Sequence, residues 1–226
     1  MNTFRVLAAL LNYPAEATVS SLDEMKAILS QEDLLPSEDR SALDPLFADH
    51  AQMDLYDLQA RYVELFDQSR SLSLHLFEHV HGESLDRGQA MVDLLERYRR
   101  HGLELSAVEL PDFLPVYLEY LSQLPIEEAR AELGEARQVI ASLSRRLAKR
   151  GSVYAPVLDA LVHLAGAGGQ SAQEETTDAD NPPDADNPPA VDTEWQEEPV
   201  DFSKREKSFV GRQRARAFGS ARRGER

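Results

Sequence analysis

Residues 73–83 read SLHLFEHVHGE and hold the densest set of chemically capable side chains in the sequence. His75 and His79 are four apart, so on an α-helix both imidazoles project to one side, with Glu78 between them and His81 beyond. H-x-x-E-H is the spacing of an inverted zincin motif, in which two nitrogen ligands hold zinc and a carboxylate activates the bound water. Such a hydrolase also needs a third ligand from a distant helix, and no second cluster of comparable quality appears downstream. The histidines are therefore read as structural or partner-contacting. No catalytic, cofactor or metal residue is assigned, and a zinc-dependent hydrolase built on His75, Glu78 and His79 stands as the alternative.

Two further clusters follow. In ESLDRGQAMVDLLERY (83–98), Glu83, Asp86, Arg87, Gln89 and Asp93 crowd the start of a helix whose apolar face is Met91, Leu94, Leu95 and Tyr98. One reading is a capped helix with a solvated polar edge. The other is a carboxylate rim beside an apolar groove, a grip for a basic amphipathic helix. In ELPDFLPVYLEY (109–120), Pro111 and Pro115 flank Asp112 ahead of Tyr117, Glu119 and Tyr120. Proline presets the entry of a helix, and Asp112 suits its N-cap.

The elements that must position these residues are helical nearly throughout. Asn2 to Leu11 forms a short apolar helix stopped by Pro14, and Ser20 and Ser21, three residues before Asp23 and Glu24, predict a capping-box start for the next. Pro36 and Ser37 open another toward Phe47. Helical faces recur at Leu55, Leu58, Tyr62 and Phe66; at Phe113, Tyr117, Tyr120 and Leu124; at Leu133, Ala136, Ile140, Leu143 and Leu147; and at Val157, Leu158, Leu161 and Leu164. Pro125 is expected at the N1 position of a helix whose first turn carries Glu127 and Glu128. The expected class is all-α, a single helical bundle domain over 1–166.

Composition narrows the function. With 24 Lys and Arg against 40 Asp and Glu, the 226 residues carry a formal charge of −16. That field opposes contact with nucleic acid or anionic lipid and favours cationic partners. No cysteine is present, which excludes disulfides, thiolate zinc sites, cysteine-ligated clusters and cysteine nucleophiles. No apolar run approaches the roughly 18 residues of a membrane span, so a cytoplasmic protein without stable membrane association is expected. Beyond Gly166 the composition changes to Gly, Ala, Asp, Glu, Asn and Pro, with tandem DADNPP at 178–183 and 184–189. Residues 167–226 are expected to form a disordered tail, acidic over 171–201 with eleven acids and no base, then basic over 202–226 with nine bases and two acids.

The opening LAALLNYP (7–14), YVELFD (62–67), SLHLFEHVHGESLDRGQAMVDL (73–94) and LPDFLPVYLEYLS (110–122) resemble the NarJ family, cytoplasmic chaperones of respiratory nitrate reductase assembly within the wider TorD-like group. The resemblance covers most of 1–165 and implies an all-helical, non-catalytic chaperone without a cofactor of its own. Its partner would be the N-terminal segment of the nitrate reductase catalytic (alpha) subunit. Binding there would hold that subunit off the membrane and keep it open for molybdenum-cofactor and iron–sulfur insertion. Apolar and acidic positions alternate in the resembling segments. The client groove is accordingly expected from Tyr62, Phe66, Leu74, Met91 and Tyr117, rimmed by Asp67, Glu83, Asp86, Asp112 and Glu119 and bordered by His75 and His79.

Overall fold

Phe4, Leu7, Ala8 and Leu11 recur at helical spacing, and Val6 and Leu10 fill the remaining faces, so the first helix, α1 (Asn2–Leu11), is enclosed on nearly all sides. The computed structural model describes residues 1–81, 86–105 and 109–166. Glu83 and both charged blocks expected beyond residue 166 lie outside the described residues. α1 packs against α3 (Leu22–Glu32), α9 (Leu114–Gln123) and α11 (Ala155–Gly166). Its orphan N–H groups are satisfied from a distance. The Glu32 carboxylate accepts hydrogen bonds from the Asn2 and Thr3 amides, both at 2.7 Å, and from the Thr3 hydroxyl at 2.8 Å. The Met1 ammonium donates to the Ser122 carbonyl, 121 residues away.

Between α1 and α3 lies a short helix, α2 (Glu16–Ser20), and it undoes the expected capping box. The Ser20 and Ser21 hydroxyls donate back to the Ala17 carbonyl, at 3.0 and 2.8 Å, because the end of α2 offers the nearer acceptor. The helix expected from Pro36 toward Phe47 is two, α4 (Ser37–Ala42) and α5 (Asp44–Gln52), since Pro45 lacks the N–H needed to continue the first. α6 (Leu55–Tyr62) begins with the Asp54 carboxylate accepting from the Tyr56 amide at 2.9 Å and runs into a π-helical turn, Val63–Asp67. A 3₁₀ turn, Arg70–Leu72, follows.

α7 (Leu76–Val80) and α8 (Asp86–Arg100) precede α9, and α10 (Ile126–Lys149) with α11 forms the long helical hairpin. Pro125 occupies the N-cap of α10, one place earlier than expected, with Glu127 and Glu128 in the first turn as read. The turn out of α10 is a Schellman motif. Gly151 sits at φ 65°, its amide donating to Ala148 and that of Ser152 to Leu147, a left-handed position that favours glycine. The chain is all-α, and the extended pairing among the described residues is one isolated antiparallel bridge, His75 with Phe113. The core joins Leu7, Leu118, Leu133, Ile140, Leu158 and Leu161, each with no exposed surface. No helix among the described residues is long and apolar enough to cross a membrane.

A candidate peptide-binding groove

α7 is five residues long and cannot hold itself together by local bonds. It is fixed by the segment ahead of α9. The Leu76 amide donates to the Asp112 carbonyl at 3.0 Å and the Leu114 amide to the Leu74 carbonyl at 2.9 Å. The Asp112 side chain, with no exposed surface, accepts from the Phe77 amide at 3.1 Å and from His75 Nδ1 at 3.1 Å, with Arg87 Nη2 3.9 Å away. Asp112 is thus a helix cap, as its type suggested, but for α7, 35 residues earlier, and not for its own helix. Arg87 also bonds Glu78 at 3.2 Å, tying α8 to the same latch.

This geometry changes the helical face the two histidines were expected to share, on which the hydrolase alternative rested. His75 stands before the helix in extended backbone, φ −83° and ψ 105°, so it does not share a helical face with His79. Its Nδ1–H is spent on Asp112, and His79 donates Nε2–H to the Ser73 carbonyl at 2.8 Å. Among the described residues no group of three or more His, Asp or Glu is placed to hold a metal ion. Hydrogen bonding to Asp112 raises the His75 pKa above the ordinary imidazole value, against the opposing effect of burial. Burial lowers that of His79. Burial would raise the Glu78 carboxyl, yet the Ser73 hydroxyl and Arg87 hold it below its usual range.

Held in this way, α7 forms one wall of a groove of about 290 Å³. Leu76, Phe77 and Val80 line that wall, Ala90 and Leu94 come from α8, and Ala136 and Val139 come from α10. Tyr117 closes the floor, its hydroxyl donating to the Glu132 carbonyl at 2.8 Å. Val80 is 60% exposed, an apolar side chain left at the rim. Asp93, Arg97 and Glu135 stand around the mouth.

Of the described residues expected to build the site, Tyr117 lines this groove and the others do not. Tyr62 and Phe66 are buried with Tyr154 in a separate aromatic cluster edged by the exposed Tyr13, ring centroids 4.9–6.4 Å apart, and the Tyr62 hydroxyl bonds the Leu11 carbonyl. They are struts between α6, α1 and the start of α11. Leu74 is buried under the bridge to Leu114. Met91 lies on α8 about 160° around from Asp93 at 100° per residue, on the other flank of that helix. Asp112 is the buried latch and not a rim acid. Asp67 and Asp86 are exposed but outside the lining, and Glu119 borders a different depression, between α1 and α9, with Arg5 and Tyr120. The lining residues missed from sequence, Ala136 and Val139, carry a visible signal. Ala136 is already on the apolar face read for α10, and Val139 widens that face beyond Leu133, Ile140 and Leu143.

The comparisons agree with this architecture. The family model described as nitrate reductase delta subunit matches residues 15–160. NarJ of Escherichia coli K12, a nitrate reductase molybdenum cofactor assembly chaperone, is 48% identical over 197 residues, covering 87% of this chain and 83% of its own. NarW of the same strain is 39% identical over 202 residues, covering 89% and 84%. A crystal structure from Archaeoglobus fulgidus, described as a redox enzyme maturation protein, shares the fold at a TM-score of 0.51 and 21% identity, over 71% of this chain and 90% of that one. With a family model over most of the helical body and relatives aligned along most of both chains, the chain belongs to the nitrate reductase delta subunit family, the family of NarJ.

Proposed function

We propose that this protein is a dedicated assembly chaperone for a nitrate reductase and not an enzyme. It binds the N-terminal segment of the catalytic alpha subunit and keeps the apo-enzyme competent for molybdenum-cofactor and iron–sulfur insertion. It does so in the cytoplasm, before membrane attachment. The observation that carries this reading is the 48% identity with NarJ across 87% of the chain. The geometry supports it through the groove between α7, α8 and α10, whose floor and first wall come from the segments 73–94 and 110–122. An apolar trough with acids at its mouth receives a short amphipathic helix, the apolar face seated and the basic face toward the rim. Among the described residues no set for hydrolysis competes with that use, since His75 and His79 are spent on Asp112 and Ser73.

The test is co-purification of the full chain with the catalytic subunit, with and without the subunit's N-terminal segment, together with the molybdenum content of the enzyme matured in its presence. Capture that depends on the segment, and enzyme that lacks molybdenum without the chaperone, is expected. Equal capture of the truncated subunit would remove the segment from the reading.

A further inference from the structure

The mouth of the groove holds more carboxylates than cations. One nitrogen of Arg97, on α8, serves two acids of α10, Glu132 at 2.8 Å and Glu135 at 3.1 Å. The two are not equivalent. Glu132 is 20% exposed and packs beside Tyr117, whereas Glu135 is 65% exposed at the open edge. Asp93, one turn before Arg97, adds a third carboxylate, and its hydrogen bond comes from the neutral amide of Gln89 at 2.8 Å. Among the described residues no cation pairs with Asp93 within 4 Å. Arg97 is held well above its ordinary pKa, chiefly by Glu135, and remains a fixed cation at any physiological pH.

Sharing one guanidinium between two acids leaves each incompletely matched. The more exposed of them is the cheaper to reassign, because it sheds little burial and keeps its hydration. Resting on the reading of this groove as the client site, we propose that Glu135 is its selectivity residue. It releases Arg97 to Glu132 alone and takes a Lys or Arg of the incoming segment in exchange. Arg97 then acts as a resident placeholder that keeps α8 and α10 joined across an empty groove. The exchange makes the groove discriminate by charge as well as by apolar shape. A segment with the right apolar face but no cation at the rim gains nothing from Glu135, whereas an acidic one meets Asp93, Glu132 and Glu135 together. The pairing is one of position, a single cation opposite Glu135, and not a general attraction to the acidic body.

The experiment is titration calorimetry of the full chain with a synthetic peptide comprising the N-terminal segment of the nitrate reductase catalytic subunit. Its Lys and Arg residues are replaced by Gln one at a time. Glu135→Gln, an exposed change that leaves the fold intact by circular dichroism, is expected to weaken binding about two- to fivefold at low salt and to flatten the salt dependence. One peptide substitution should give the same loss, and the two together no more than either. Glu135→Lys should recover affinity with the peptide carrying Glu at that same place. Val139→Asp, in the groove wall, should abolish binding of every peptide. Additive losses for every peptide position, or no loss in Glu135→Gln while Val139→Asp abolishes binding, overturn the exchange and leave the groove standing. Undiminished binding to Val139→Asp removes the groove and the exchange with it.

Discussion

The helices around α1 and the wall made by α7 are held by different forces. Between α1, α9 and α11 the contacts are aliphatic and without exposed surface: Leu7, Leu10, Leu118, Leu121, Leu158. α7 anchors one residue, Leu76, in the core and is otherwise set by one buried carboxylate, one bridge and one arginine, with Phe77 and Val80 left partly open as groove wall. Hydrophobic burial is non-directional and fills whatever space the helices leave, so it serves a scaffold. Hydrogen bonds to a buried acid fix position and angle, so they serve an element that must stand at a set distance from α10 while keeping a face free.

The strongest way to break this contrast is Leu118→Ala. The cavity left in the scaffold should cost about 3–4 kcal/mol in denaturant unfolding, with peptide affinity of the remaining folded protein nearly unchanged. A loss under about 1 kcal/mol would mean that the scaffold collapses around the cavity and is not the rigid partner. Asp112→Ala comes next, at about 2–3 kcal/mol, because the Phe77 amide and His75 lose a buried acceptor. Here affinity should fall as well, and the His75 resonance should titrate at a lower pH. Asp112→Asn should recover part of the stability without restoring the His75 titration.

Gly134→Ala separates stability from binding in the opposite direction. Gly134 lies inside α10 beside Glu135 with open space where a Cβ would go, so alanine should add about 0.5–1 kcal/mol and leave peptide affinity as it was. The smallest effect expected is on pH dependence, where His75 acts in one direction and His79 with the buried His50 in the other. The contribution of His75, whose folded pKa is raised, is present below the ordinary imidazole value of 6.5 and is lost as pH rises through the folded value. That of His79, lowered by burial, is present above 6.5 and is lost as pH falls through its folded value. Unfolding midpoints of the native protein should therefore be highest near pH 6.5 and fall on either side, the buried His50 adding to the loss from His79 on the acid side. In Asp112→Asn the fall on the alkaline side should vanish, leaving midpoints that rise with pH through the His79 and His50 arms.

Most of the scaffold could be read in the amino-acid sequence, because α1, α8, α10 and α11 are decided by their own periodicity, and the Gly151 stop by its own backbone freedom. The misreadings have a common cause. Ser20 and Ser21 lost their predicted role to the Ala17 carbonyl of a helix too short to show a period. His75 left the helix because Asp112, 37 residues on, takes the cap. The site suffered most, since a groove is a relation between helices. Tyr117 was identifiable as an aromatic on a helix face. That Val139 and Phe77 face each other across an open space, while Tyr62 and Phe66 face inward to Tyr154, is set by how α7 and α10 dock. No window of residues contains both.

α1 also fixes an order of events. Its neighbours α9 and α11 are made more than a hundred residues after it, and the Met1 ammonium ends on Ser122. At translation speeds of about 5–20 residues per second, Phe4, Leu7, Leu10 and Leu11 wait for roughly 6–25 seconds before α9 can cover them. α3 is made much sooner, and its Glu32 carboxylate is the acceptor for the first amides of α1. The cap on α1 thus needs nothing beyond residue 32, whereas the burial of α1 needs residues beyond 113.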